Sequence, residues 1–220
     1  MTDYQQIANN ALHRAKQMEY GSDFRWLPYK NKDGTNMESS IIPGDSFSAY
    51  KIRGIVRDVT PTIFAEEMWK FEETDWKQII AEVYQFKVIE SLDWHPRSKI
   101  CYQINKIPFP LWNRDTVALW TLFNEEDDYW AIATSIDYET IPQYPKKYVR
   151  NILYLSSYHF SPSGDGGTEI TRLMHINPMG HIPPAIVRLG ASRLFTGLAN
   201  LVQKVGSEGL VGSNKIQSQL

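Results

Sequence analysis

Between residues 82 and 177 the chain offers six strand-like runs in succession with no helical stretch among them: EVYQFKVIESLD, KICYQINKI, TVALWTLF, YWAIATSID, NILYLSSYHF and GTEITRLMHIN. Each is rich in β-branched and aromatic residues and bounded by turn residues, so together they read as one long antiparallel sheet. SPSGDGG joins the last two runs. Its glycines look only superficially like a phosphate loop, because no helix carrying Lys-Ser/Thr follows, and it reads as a turn.

The rest of the chain frames that sheet. Residues 2–18 place Tyr4, Ile7, Ala8, Ala11, Leu12, Ala15 and Met18 in steps of three and four, the stripe of an amphipathic helix. FRWLPYKN, MESSII and SFSAYKIRGIVRD are short runs broken by Asp-Gly and Pro-Gly-Asp, a second antiparallel meander. TPTIFAEEMWKFEETDWKQII is helical again, with Thr60 suited to cap it and Pro61 to open it. From Pro183 a final helix of about twenty residues carries Val187, Gly190, Ala191, Leu194, Leu198, Leu201, Val202 and Val205 on one side. Gly190 and Gly197 each cost such a helix about 1 kcal/mol relative to Ala, so packing must hold it. Residues 1–205 are expected to form a single domain and 206–220 a flexible tail. The order is helix, three strands, a helical pair, six strands and a long helix. A long antiparallel sheet of this kind curls on itself, and the last helix can close its mouth over a ligand cavity.

A chain of 220 residues can bury a sizeable core, and a net charge of -2 gives no electrostatic footprint for nucleic acid. Cys101 is the sole cysteine, so no internal disulfide forms. The start MTDYQQIANN has no apolar signal core, and no apolar run approaches the ~18 residues of a membrane span. These features lead us to expect a cytoplasmic, monomeric protein. The five histidines show no metal-ligand spacing, and neither a nucleophile elbow nor a Walker loop is present. Neither a metal nor a cofactor is expected. His159 and His175 fall on adjacent predicted strands, within possible reach of Asp137 or Asp165.

Three stretches carry polar groups of interest. In ITRLMHI, Ile170, Arg172, Met174 and Ile176 share one side, which sets Arg172 among apolar neighbours. Either it sits at an edge with its guanidinium reaching water, or it lies inside a cavity and needs an acid or a ligand head group as partner. Glu73 and Lys77 stand at i, i+4 on a helix, either as a solvated pair or as polar groups of the cavity. The third stretch, KIPFPLWNRDT, puts Phe109, Leu111 and Trp112 in a proline-rich connection before a strand.

PFPLWNRD followed by strands, and NPMGHIPPAIV leading into a C-terminal helix, resemble the START lipid-transfer domains over roughly residues 20–205. The resemblance implies an α+β helix-grip fold: a curved antiparallel sheet of nine strands around a lipid tunnel, closed by the long terminal helix. It implies a non-enzymatic protein that holds one polar lipid, a phospholipid or sphingolipid, touches membrane surfaces transiently and transfers that lipid between them. Phe109, Leu111 and Trp112 become the lip of a gate, resting on the terminal helix near Val187 and Leu194 when closed and on the bilayer when open. The alternative is a loop tucked onto the core. Asn113, Arg114 and Asp115 read as the fixed corner behind that loop. Arg188, Arg193 and Lys204 would favour an anionic surface.

The resemblance also implies a set of lipid-binding positions: Arg172, Gln103, Tyr154, Glu73, Lys77, Thr116 and Trp120. Tyr154 matches an aromatic of the phosphatidylcholine branch, whereas Gln103 and Thr116 replace two others. The ceramide branch has an amide where Gln103 stands, but its Arg/acid pair is reversed as Glu73 and Lys77, and Arg172 takes the place of its tyrosine. The acid–base pair of the sterol branch falls on Cys101 and Trp120, which cannot form it. A two-chain lipid with an acidic or zwitterionic head suits Arg172 best. Two other uses of such a cavity are an enzyme of the cyclase or hydrolase kind and a lipid-responsive interaction module.

Overall fold

The structure, a computed structural model, describes residues 3–32, 35–143, 147–164 and 166–217, with backbone alone for residues 184 and 207–217. Helix α1 (Tyr4–Tyr20) precedes strands β1 (Leu27–Lys32), β2 (Thr35–Ser40) and β3 (Ala49–Val56) and helices α2 (Pro61–Trp69) and α3 (Glu73–Ile79). Then come β4 (Val83–Leu92), β5 (Arg97–Asn105), β6 (Arg114–Glu125), β7 (Asp128–Ser135), β8 (Val149–Arg150), β9 (Ile152–Pro162), β10 (Thr168–Asn177) and α4 (Pro184–Gln217).

Nine strands pair in the order β1-β2-β3-β10-β9-β7-β6-β5-β4, each with an antiparallel neighbour. The two-residue β8 adds a parallel pairing to β6. β1 and β4 remain as edges, so the sheet curves without closing. This is the nine-stranded helix-grip arrangement that the sequence resemblance implied.

The two faces of the sheet are covered differently. Alternation sends Ile100, Tyr102, Val117, Leu119, Trp130, Ile132 and Leu173 outward, where Ala8, Ala11, Ala15 and Met18 of α1 pack on them. The expected stripe on α1 is thus the one that is buried. Inward go Ile52, Cys101, Ala118, Trp120, Ala131, Ala133, Tyr158 and Phe160, facing α2, α3 and α4. With both faces covered, β6 is buried continuously from Arg114 to Phe123.

The inner face is full at one end and hollow at the other. Under α2 and α3 the aromatics meet directly: Phe64 lies 5.0 Å from Phe160, and Trp76 lies 5.5 Å from Trp120, centroid to centroid. Each such side chain contributes roughly 2–3 kcal/mol by leaving water. Toward α4, short inner residues such as Ala118, Cys101, Thr116 and Ser156 leave space that no neighbour fills.

The helical stretch over 60–80 is the expected helical pair, broken at Lys70–Glu72, where Asp75 accepts the Glu72 backbone N–H at 2.8 Å and opens the second helix. Thr60 caps α2 and Pro61 is its first residue, as expected. α4 is longer than the twenty or so residues expected: its backbone stays helical through 206–217, the stretch anticipated as a loose tail, and 218–220 lie outside the described residues. SPSGDGG makes the expected turn. Ser163 N–H reaches the Gly167 carbonyl at 3.0 Å, and Gly166 takes a positive φ of 84° that only glycine adopts freely.

Candidate functional site

The hollow between the inner face of the sheet and the first turns of α4 is a cavity of about 270 Å³. Tyr50 of β3, Leu153 and Ser156 of β9, Met174 and Ile176 of β10, and Val187, Ala191 and Leu194 of α4 form its walls. A side chamber of about 110 Å³ adjoins it between α4 and the end of β5, where Pro108 and Leu189 face each other. Arg172, Lys106, Ile186 and Gly190 line both spaces, so Arg172 stands where the two meet.

Arg172 occupies the middle of β10, paired with Ile52 on one side and Tyr158 on the other. That is an interior strand, so the edge-position reading does not apply. The residue is only 3% exposed, and its guanidinium lies 4.3 Å over the Tyr158 ring. Its Nε has no hydrogen-bond partner. No carboxylate pairs with it among the described residues, and burial alone pushes its pKa down from 12.5 to about 9. A buried cation stacked on one phenol, with nothing to neutralise it, is an incomplete arrangement.

The other sequence-derived positions divide into two groups. Gln103, Thr116 and Trp120 line the cavity with Arg172. Gln103 Nε2 donates to Asn105 Oδ1 at 2.8 Å, and Thr116 Oγ1 donates to Asn151 Oδ1 at 2.8 Å. Tyr154 is not on the wall. A bulge leaves it without a partner in the β9–β10 register, and its ring lies 4.6 Å from His175 and 5.8 Å from the Arg14 guanidinium of α1, on the outer face. Glu73 and Lys77 are also away from the cavity. They form a solvent-facing pair at 2.5 Å, and Glu73 holds α3 to the sheet by accepting the Phe86 N–H at 3.1 Å. α3 spends its buried side on Trp76 and Ile79, which leaves the charged pair outside.

Of the gate residues, Val187 and Leu194 line the cavity. Phe109 does not rest on α4: it is 96% exposed, and Trp112 is 47% exposed. Behind them the Asn113–Asp115 corner is fixed by hydrogen bonds, as read from sequence. Asn113 Oδ1 accepts from Ile107 N–H at 3.2 Å, and Asp115 accepts from Arg150 at 2.9 Å and Tyr102 at 3.2 Å. Arg114 donates to the carbonyls of Pro178 and Met179, both at 2.9 Å, and to that of Trp112. One guanidinium therefore joins the β5–β6 loop to the corner before α4, where Met179 and Gly180 both take positive φ.

α4 is tied down from Arg193 onward. Arg193 pairs with Glu82, Asn200 donates to the Ile79 carbonyl at 3.0 Å, and Lys204 pairs with Asp75 at 2.9 Å. Two of the three cations expected to face an anionic surface, Arg193 and Lys204, thus have acid partners.

Sequence reasoning missed Ser156 and Tyr158, which the alternation of β9 would have placed inside, and Phe47, which sits in a loop with no such signal. Phe47 is held by its backbone N–H donating to Asp45 Oδ1 at 2.9 Å. Asp45 in turn lies 3.1 Å from His175 Nε2, while Arg14 donates to His175 Nδ1 at 2.9 Å. Burial and Arg14 lower the pKa of His175 against the pull of Asp45. His159 meets Glu19 at 2.9 Å and Asp128 at 3.4 Å on the outer face. Neither histidine pairs with Asp137, and Asp165 lies outside the described residues. Cys101 is a wall residue whose thiol burial pushes up to about 12. No cluster of metal-ligating side chains occurs, and no helix is long and apolar enough to cross a membrane, among the described residues.

Solved structures with the same arrangement are known. Human StAR-related lipid transfer protein 5 superposes with a TM-score of 0.77 at 17% identity, covering 93% of this chain and 97% of that one. Human STARD10 gives 0.76 at 18% identity, covering 100% of this chain and 86% of that one. The lipid transfer and protein localization domain of human StarD13 gives 0.67 at 20% identity, covering 90% and 95%. At these identities the likeness speaks for the fold alone. No curated protein matches the chain in sequence. The profile of the START domain matches residues 6–208, nearly the whole length, and the chain therefore belongs to the START domain family.

Proposed function

We propose that the chain binds one polar lipid, a phospholipid or sphingolipid, in its cavity and carries it between membranes, with residues 1–205 as the lipid-binding unit. The observation that carries this reading is the hollow itself, apolar along Leu153, Met174, Ile176, Val187 and Leu194 and holding the buried Arg172 guanidinium. Membership of the START family supports it, as do the lipid-transfer names of its structural neighbours.

Extraction is the physical obstacle. Each methylene exposed to water costs ~0.8 kcal/mol, so a sixteen-carbon chain costs about 12 kcal/mol. A cavity that opens against the bilayer spares the chain that exposure. Entry of a whole lipid requires the cover that α4 makes over the cavity to give way. The first turns of α4, before its ties begin at Arg193, are the part free to move aside. Phe109 and Trp112, exposed beside that entrance, are the groups that would enter the membrane. On this reading the protein is a monomer at the membrane periphery, and its cavity binds rather than transforms its cargo.

Native mass spectrometry of freshly purified protein, followed by transfer assays between donor and acceptor liposomes, tests the proposal. One bound lipid per chain and accelerated transfer are expected. An empty protein that leaves transfer at its spontaneous rate overturns the reading.

A further inference from the structure

Resting on that reading, we infer that the cargo carries an anionic head group without a compensating cation, a phosphate or carboxylate, and that this group seats on Arg172 beneath α4, facing the side chamber. Three observations converge on the assignment. First, the charges bordering the side chamber are Lys106, Arg172 and Arg193 against the single carboxylate of Glu82, which Arg193 already engages. Second, Arg172 Nε is a buried N–H donor left without a partner in the wall shared by both spaces. A head group rich in acceptors suits a guanidinium so placed. Third, most aromatics of the wall are already engaged and do not form an open cage for a quaternary ammonium. Tyr158 is covered by the Arg172 guanidinium at 4.3 Å, Trp76 and Trp120 pack on each other at 5.5 Å, and Tyr50 meets Tyr29 edge-on at 5.6 Å.

The energetics favour an anion further. Filling the cavity with hydrocarbon strips Arg172 of whatever water the empty space gives it. A neutral head would then leave the cation stranded, whereas a phosphate or carboxylate accepts a forked pair of charge-assisted hydrogen bonds.

The test uses mixed vesicles holding phosphatidate and phosphatidylcholine of identical chains, so that both lipids share one surface potential. The extracted lipid is read by native mass spectrometry. A second arm offers oleate against methyl oleate and separates a carboxylate source from a phosphate one. A preference of ~10–100-fold for the anionic member of at least one pair is expected, the range for a charge-assisted hydrogen bond. Arg172→Met should bring that preference close to one, and Arg172→Lys should retain part of it. Equal extraction of both members in both arms overturns this inference alone, as does a wild-type preference in Arg172→Met. Failure to extract any lipid overturns the transfer reading and this inference with it. Circular dichroism verifies that the variants fold, and the wild-type ratios stand without them.

Discussion

Replacing Arg172 with methionine should make the lipid-free protein more stable, although it removes a side chain at the centre of the molecule. Burial lowers the guanidinium pKa from 12.5 to about 9. At 1.36 kcal/mol per pKa unit this is a penalty of about 5 kcal/mol for keeping the charge inside. The Tyr158 ring, 4.3 Å away, returns ~1–2 kcal/mol through its π face. Methionine keeps none of the charge and most of the aliphatic contact, forfeiting roughly 1 kcal/mol of it, so a net gain of ~2–3 kcal/mol is expected, within the range seen when buried ionic groups become apolar. For a chain of 220 residues that raises Tm by about 5–10 °C. Calorimetry or urea unfolding of delipidated protein measures it. The pH dependence has a definite sign. Below about pH 9 both the folded and the unfolded chain hold the proton, and the penalty is complete. Above that the unfolded chain keeps a proton that the fold has released, so wild-type stability recovers and the gap to the variant narrows. An unchanged or lower Tm for Arg172→Met would show that the guanidinium is compensated, and would remove the basis for a ligand anion there.

Alanine at both Phe109 and Trp112 should slow liposome transfer about tenfold, the effect of losing part of the burial of two aromatic groups at the membrane. Urea unfolding should change only by about 1–2 kcal/mol, because Phe109 is almost fully exposed and Trp112 is half covered. For His159, burial lowers the pKa, but the hydrogen bond and charge of Glu19 and the charge of Asp128 outweigh it and leave the pKa above 6.5. Its contribution is therefore complete below pH 6.5 and lost as pH rises through the folded pKa, so the stability deficit of His159→Gln should be largest in mild acid and shrink toward alkaline pH. Gly190→Ala should stabilise α4 by up to ~1 kcal/mol, since an added Cβ there meets nothing within 4 Å. A lower Tm would contradict this.

Much of the site was legible where strands keep strict alternation. The pattern of β10 put Arg172, Met174 and Ile176 on one side, and all three line the cavity. Tyr154 came from the resemblance, and alternation on β9 would not have corrected it, because one bulge shifts the parity and no residue type announces it. The i, i+4 spacing of Glu73 and Lys77 left a solvated pair and a cavity pair both open, and the resemblance alone set them on the lipid. α3 is short and needs its inner side for Trp76 and Ile79, so the pair faces solvent. The apolar loop at 108–112 stood out by its composition and its reading as a gate came from the resemblance, but Phe109 standing clear of α4 was not foreseeable, since nothing local decides whether an exposed ring folds back. Phe47 reaches the cavity only through the Asp45–His175–Arg14 chain, which links three separate parts of the sequence.

The tether made by Arg114 divides the doorway into a frame and a leaf. Because the Trp112, Pro178 and Met179 carbonyls share one guanidinium, the two loops bordering the opening are bolted together and cannot part independently. On the proposed reading, widening would come from swinging the first turns of α4 against that rigid jamb, pivoting where the 178–180 corner meets the helix. Cutting the bolt would loosen the frame and leave the leaf with nothing firm to close on.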